Sequence, residues 1–227
     1  MRTAVILAGG SSRRMGEEKS LLLFGGRPLL CWTVERLCSA ADEIVVVARD
    51  EEHSWRLEKV LSGFLSGGIK PAFTWDRQPG YGPVAGIAAG MGRGKGEFAF
   101  ATACDLPFLS PRVVEWLFET AEQYPGCGGA VPVQPNGFFE PLHCVYHRRK
   151  MQDACERAMA AGERRIYAPL QQIGIRHVAV DLLRPLDRDL LTFFNLNTRE
   201  DMQRAEALWS ESREKQGSKP ISKKSIL

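Results

Sequence analysis

The stretch Leu7-Ala8-Gly9-Gly10-Ser11-Ser12-Arg13-Arg14-Met15-Gly16-Glu17-Glu18-Lys19 places paired glycines, paired arginines and a lysine close together. Gly9 and Gly10 allow the backbone to approach a ligand closely and to adopt positive φ. Successive N–H groups in such a turn form an anion-binding concavity. Arg14 and Lys19 add full positive charge for phosphate oxygens. The spacing is neither G-x-x-x-x-G-K-[ST] nor G-x-G-x-x-G, so the loop is neither a P-loop nor the dinucleotide fingerprint. It is expected to hold a triphosphate through Leu7, Ala8, Gly9, Gly10 and Lys19, with Arg14 and Lys19 as candidate catalytic cations.

Asp105, in Cys104-Asp105-Leu106-Pro107, is the candidate catalytic and metal-binding carboxylate. Mg²⁺ takes oxygen ligands and often uses one or two carboxylates plus substrate phosphates, so one aspartate suffices. A turn or capping role before Pro107 is the plain alternative. Asp76 is a further nucleotide-binding candidate, against a surface turn residue. Gly82-Pro83-Val84-Ala85-Gly86 reads as a tight turn that lets a helix N-terminus approach the ligand. Asn195 and Asn197 offer paired donors and acceptors to an acceptor molecule. Thr198 with Asp201 also reads as a capping box, so that segment has a local structural meaning too. His143 and His147 are four apart but lie on a strand entering a helix, which is not a metal-binding spacing. His53 and His177 read as surface positions without chemical signal. The six cysteines lack C-x-x-C spacing and mostly sit in apolar runs, as buried free thiols do.

These residues need a frame. Thr3–Leu7, Glu43–Val47, Lys70–Trp75 and Glu97–Ala103 read as buried strands. Between and after them, Pro28–Cys38, Ser54–Leu65, Val84–Met91 and a segment from Ser110-Pro111 to Gln123 read as helices. This alternation predicts an α/β fold with a mostly parallel central sheet and helices on both faces. Ligands in such sheets bind outside the carboxyl ends of the strands, where the first loop and Asp105 both fall. Beyond residue 125, Gly128–Val133, Pro141–Tyr146 and Arg176–Val180 read as strands. Arg149–Ala161, Tyr167–Ile173 and Arg199–Ser210 read as helices. The expected organisation is one domain over 1–212, with a nucleotide-binding half at about 1–125 and an acceptor half at about 126–212. A flexible basic tail is expected over 213–227.

Charge and composition narrow the classes. The net charge is +3, and part of it is the tail's Lys215, Lys219, Lys223 and Lys224. The folded part is therefore near neutral, which argues for a small-molecule ligand and against nucleic acid. No run of about 20 apolar residues exists to span a membrane. Ala4–Ala8 is too short for a signal peptide, and a cytoplasmic location is expected.

The first loop resembles G-x-S-x-R-M-G-x-x-K, the signature of nucleotidyltransferases with a nucleotide-diphospho-sugar transferase type of Rossmann-like fold. Gly10, Ser12, Arg14, Met15, Gly16 and Lys19 fill its fixed positions. Within that group, Leu7-Ala8-Gly9-Gly10 is similar to the molybdenum cofactor guanylyltransferases, while L-A-A-G is more usual in cytidylyl-transferring relatives. A glycine in place of alanine is expected to make room for the larger purine. The resemblance implies a three-layer fold, Mg²⁺ at Asp105 and a nucleotide contact from Asp76 ahead of the G-P-x-x-G turn. It departs at Arg49, where the family often has asparagine, and at Glu140, where glutamine often precedes Pro141-Leu142. Asn195-Leu196-Asn197-Thr198-Arg199-Glu200-Asp201 is similar to the family's N-x-N-T-x-E-D.

The implied reaction is transfer of GMP from GTP to the phosphate of molybdopterin, with release of pyrophosphate. Transient contact with molybdoenzymes or other cofactor-biosynthesis proteins is implied as well. Two alternatives stand beside it. One is a nucleotidyltransferase using CTP or another phosphorylated acceptor. The other is a non-catalytic nucleotide-binding protein that delivers the cofactor, against which the intact Arg14, Lys19 and Asp105 argue.

Overall fold

A computed structural model of the chain describes residues 1–10, 18–65, 70–78, 80–124 and 126–217. The nucleotide-binding half contains β1 (Arg2–Leu7), a short hairpin β2 (Leu23–Phe24) and β3 (Arg27–Pro28), and then α1 (Leu29–Leu37). There follow β4 (Glu43–Ala48), α2 (Glu51–Phe64), β5 (Ala72–Trp75), α3 (Pro83–Arg93), β6 (Phe98–Ala103) and α4 (Pro111–Glu122). The second half adds β7 (Gly129–Val133), β8 (His143–His147), α5 (Arg148–Ala160), α6 (Tyr167–Leu170), β9 (Ile175–Ala179) and α7 (Arg199–Gly217).

The main sheet has seven strands in the order β5-β4-β1-β6-β8-β7-β9. Strand β8 alone runs against its neighbours; the β5–β4–β1–β6 and β7–β9 pairings are parallel. The mostly parallel expectation therefore holds. Strand β1 lies centrally and is apolar on both faces, as a doubly covered parallel strand requires. Ala4 and Ile6 pack with α1, α2 and α4, whereas Val5 packs with α3 and α5. Helix α3 lies very close to β1. A Cβ on Gly90 would fall 2.3 Å from Val5 Cγ1, so only glycine permits this approach. Among the described residues, no helix is long and apolar enough to cross a membrane.

Some boundaries differ from the sequence reading. Helix α2 begins at Glu51 instead of Ser54, because Asp50 caps it: Asp50 Oδ1 accepts the His53 N–H at 2.7 Å. Strand β8 starts at His143, two residues later than expected. Helix α7 continues to Gly217, so residues 213–217 of the expected flexible tail are helical. The sequence there has no helix breaker before Gly217. The rest of that tail lies outside the described residues. All six cysteines are free thiols, with Cys31, Cys104, Cys144 and Cys155 buried.

A third, smaller core stands apart from the two faces of the sheet. Phe24, Leu29, Leu196 and Ala205 are buried in it, with Leu22, Trp32, Phe108, Phe194, Met202 and Trp209 packed around them. It joins the hairpin, the start of α1, the segment after β6 and helix α7. Phe24 is its centre, with ring centroids of Trp32, Phe108 and Trp209 at 5.9, 5.8 and 5.6 Å. Gly25 turns the hairpin at φ 56°, and a Cβ there would meet Trp209 Cη2 at 2.7 Å. The turn thus needs glycine both for its conformation and for its contact with α7.

His143 is buried between the rings of Phe100 and Phe193, with Nε2 3.1 Å from Thr192 Oγ1. His147 instead caps α5, its Nδ1 facing the Lys150 N–H at 3.4 Å. Burial pushes the His143 imidazole down to about 3. In the unfolded chain a histidine titrates near 6.5. Between those values the unfolded state binds a proton that the native state refuses, so stability decreases as pH falls below about 6.5. The expected loss between pH 7 and pH 5 is about 2 kcal/mol from this one group. Urea denaturation of the native chain and of His143→Gln at both pH values measures it. The variant should show a flatter pH dependence by that amount; equal slopes would contradict the neutral burial of His143.

Candidate active site at the carboxyl edge of the sheet

Three of the residues singled out in the sequence meet at one atom. Lys19 Nζ donates to Asp105 Oδ2 at 2.7 Å and to Asn197 Oδ1 at 2.7 Å. Lys19 opens a 3₁₀ turn (Lys19–Leu21), Asp105 lies just past β6, and Asn197 just precedes α7. The third core holds these segments together, since Phe24, Phe108, Phe194 and Leu196 all flank them and all pack in it. The Leu196 N–H also donates to the Asp105 carbonyl at 3.0 Å, fixing the asparagine segment against the strand end.

Asp105 is 8% exposed, and its two carboxylate oxygens differ. Oδ2 faces Lys19. Oδ1 is buried without a hydrogen-bond partner among the described residues. An orphaned buried carboxylate oxygen is costly, and a cation relieves it. No group of three or more His, Cys, Asp or Glu side chains suited to a metal exists among the described residues. A divalent ion at Asp105 would therefore draw its other ligands from phosphate and water, as Mg²⁺ commonly does.

The loop after β1 is tied to the end of β4 by the Ala8 N–H, which donates to the Val47 carbonyl at 2.9 Å. Neither Gly9 nor Gly10 adopts the positive φ expected of it. Their value is steric. A Cβ on Gly9 would come within 3.1 Å of the Arg49 backbone, whereas one on Gly10 would point into open space. The space that Gly9 leaves is therefore filled by the chain itself, which removes the argument that this glycine makes room for a purine. Arg14 lies outside the described residues. The Gly82-Pro83-Val84-Ala85-Gly86 turn serves the same edge: Gly82 has φ 56°, and a Cβ on Gly86 would meet Leu7 Cδ2 at 3.2 Å.

The remaining candidates lie around this centre. Asp76 is half-buried, its Oδ1 accepts the Gln78 N–H at 2.7 Å, and burial raises its carboxyl above the usual range. With Trp75, Ala85, Ala88 and Met159 it lines a groove of about 490 Å³ between β5, α3 and α5, which excludes Lys19, Asp105 and Asn197. Asn195 is exposed, and its Nδ2 donates locally to the Phe193 carbonyl at 3.3 Å. The Arg49 side chain pairs with Asp50 at 3.0 Å on the surface. Glu140 accepts from Gln134 Nε2 at 2.7 Å. Asp201 accepts from the Asn197 and Thr198 N–H groups at 2.9 Å, and its own N–H donates to Thr198 Oγ1 at 3.1 Å. The capping box therefore forms, and it also fixes Asn197.

The sequence reading missed one cluster. His53 is 2% exposed, not a surface residue. Its Nε2 lies against the Glu18 carboxylate, which Arg56 and Ser20 also contact. The spacing of His53 with Leu57 and Leu61 marks one buried helical face, and starting α2 at Asp50 would have revealed it.

Comparison with known proteins shows the family. The family described as "MobA-like NTP transferase domain" matches residues 4–177. A "Probable molybdenum cofactor guanylyltransferase" of Methanosarcina mazei is 38% identical over 204 residues, covering 89% of this chain and 88% of that protein. One of the same name from Natronomonas pharaonis is 36% identical over 206 residues, covering 90% and 96%. The crystal structure of molybdopterin-guanine dinucleotide biosynthesis protein A from Archaeoglobus fulgidus is 34% identical, with a TM-score of 0.78. It covers 93% of this chain and 100% of that one.

The Lys19–Asp105 contact predicts a measurable coupling. A double-mutant cycle of Lys19→Met and Asp105→Asn, read by chemical denaturation, should give about 1–3 kcal/mol. Additive single effects would contradict the pairing.

Proposed function

We propose that this chain, which belongs to the MobA-like NTP transferase family, transfers GMP from GTP to the phosphate of molybdopterin and releases pyrophosphate. The observation that carries the reading is the Lys19 ammonium, held 2.7 Å from both Asp105 and Asn197 at the carboxyl edge of the sheet. The names of the relatives from M. mazei and N. pharaonis support the choice of base and acceptor.

In this reaction an oxygen of the acceptor phosphate attacks the α-phosphorus of GTP. The bond from that phosphorus to the oxygen bridging to the β-phosphate breaks, and its electron pair leaves with pyrophosphate. The attacking oxygen is already anionic, so no strong base is needed. Alignment and charge neutralisation supply the acceleration. Leu7, Ala8, Gly9 and Gly10 offer backbone groups to the nucleotide, and the N-terminus of α3 adds its positive dipole end. Lys19 supplies a fixed cation for the phosphates, and Arg14 is assigned a second. Asp76 offers a carboxylate acceptor to the base; guanine carries adjacent ring and amino N–H donors that match it, whereas cytosine offers only its amino group. Asn197 orients Lys19 and presents its amide to the acceptor side, with Asn195 nearby in sequence.

Asp105 is the residue that would hold Mg²⁺, through the buried Oδ1 that lacks a partner among the described residues. Bound there, the ion would neutralise triphosphate charge and stabilise the charge that develops on transfer.

Pyrophosphate release tests the proposal when assayed with GTP and with CTP, each with and without molybdopterin. Release should require GTP and molybdopterin together. Asp105→Ala should keep its fold and lose turnover by about 100-fold or more at matched magnesium. Equal turnover of CTP would remove the guanine assignment. GTP binding without pyrophosphate release would favour a cofactor-delivery protein, and full activity of Asp105→Ala would overturn the metal assignment.

A further inference from the structure

The nucleotide loop is flanked by two contacts that converge on one buried side chain. At its entrance, Gly9 packs against the Arg49 backbone, where a Cβ would come 3.1 Å from Arg49 N and from Arg49 Cα. That same Arg49 N–H donates to His53 Nδ1 at 3.0 Å. At its exit, Glu18 immediately precedes Lys19, and the Glu18 carboxylate lies against His53 Nε2. Glu18 also accepts from Ser20 Oγ at 2.9 Å, contacts Arg56, and receives the Leu21 and Leu22 N–H groups on its carbonyl at 3.1 Å.

The geometry points to His53 as a positioning residue that holds both described ends of the nucleotide loop through the two nitrogens of one ring. The assignment rests on the reading of Leu7–Lys19 as the nucleotide loop. An imidazole suits this task because its two nitrogens have opposite roles in the neutral form. Nδ1 accepts from Arg49, so the ring proton sits on Nε2, which touches the Glu18 carboxylate as a close contact and makes no hydrogen bond among the described residues. Burial and the neighbouring Arg49 charge lower the His53 pKa, while Asp50 opposes them, and the neutral ring that this role requires is favoured. The charged groups around the ring are Glu18 from the loop exit, Arg49 and Asp50 at the end of β4, and Arg56 from α2. Asp50 additionally fixes the backbone of His53 by accepting its N–H. The ring thus stands on a capped helix start. From there it sets the distance between the Gly9 turn and the Lys19 cation, neither of which it touches.

Two substitutions separate the two contacts. The side-chain oxygen of His53→Asn reaches the Nδ1 position and keeps the Arg49 bond while releasing Glu18. The terminal amide of His53→Gln reaches the Nε2 position and keeps Glu18 while releasing Arg49. Amide hydrogen exchange on the full chain without substrate reads the ends directly. His53→Asn should accelerate exchange at Leu21–Leu22 by about 10-fold and leave Arg49 protected; His53→Gln should do the reverse. Because no substrate is present, this pattern is independent of whether the proposed reaction occurs.

With MgGTP and molybdopterin, His53→Asn should lower kcat, through Lys19. His53→Gln should raise the KM for GTP, through Gly9. The same exchange pattern in both variants, or unchanged exchange at the end each releases, would overturn the assignment. A matched fall in thermal midpoint without the kcat-against-KM split would reduce His53 to core packing and overturn it equally.

Discussion

A largely buried carboxylate needs a counter-charge, and the rest of this structure follows from how Asp105 obtains one. Asp105 stands at the end of a strand, where the sheet fixes its backbone. Lys19 arrives from a loop and Asn197 from the far end of the chain. Neither segment has regular structure long enough to place itself. Both are placed by the small aromatic core around Phe24, which lies off the main sheet and joins the hairpin, the segment after β6 and α7. Loss of the hairpin's attachment would take Lys19 from Asp105 and leave a charged group buried without its partner, the costly state for an ion pair of low exposure.

The main sheet contributes rigidity and proximity. Its parallel strands β4, β1 and β6 bring the ends at Arg49, Ala8 and Asp105 to one edge. Helix α3 lies close enough to β1 that Gly86 and Gly90 contact it without side chains. That approach sets Gly86, one turn into α3, against Leu7. Gly9 of the loop and Gly86 of the G-P-x-x-G turn thus act as packing residues within the protein. In the proposed reaction, the backbone offered to the nucleotide is one that the protein has already brought into register.

Much of this was legible from residue type and spacing. Buried β-branched runs alternating with amphipathic segments gave the parallel sheet, and Lys19, Asp105 and Asn197 were identifiable because each follows or precedes a recognisable element. What stayed hidden was long-range and sterically specific. The cluster of Phe24 with Trp209 joins residues far apart in the chain, and no local pattern announces it. The role of Gly9 depends on which backbone lies beside it. His53 was misread because the N-cap at Asp50 was overlooked, which moved the helix start and hid the buried face. Asn195 and Asn197 look equivalent in sequence, yet only Asn197 reaches Lys19; Asn195 turns back on Phe193.

In the proposed reaction Asp105 joins Lys19 to a metal-bound triphosphate through Oδ1, which has no partner among the described residues. Calorimetry of GTP binding with and without Mg²⁺, in the native chain and in Asp105→Asn, tests it most directly. Mg²⁺ should strengthen GTP binding in the native chain by about 10-fold or more and lose that effect in the variant. The same magnesium enhancement in both proteins would contradict it.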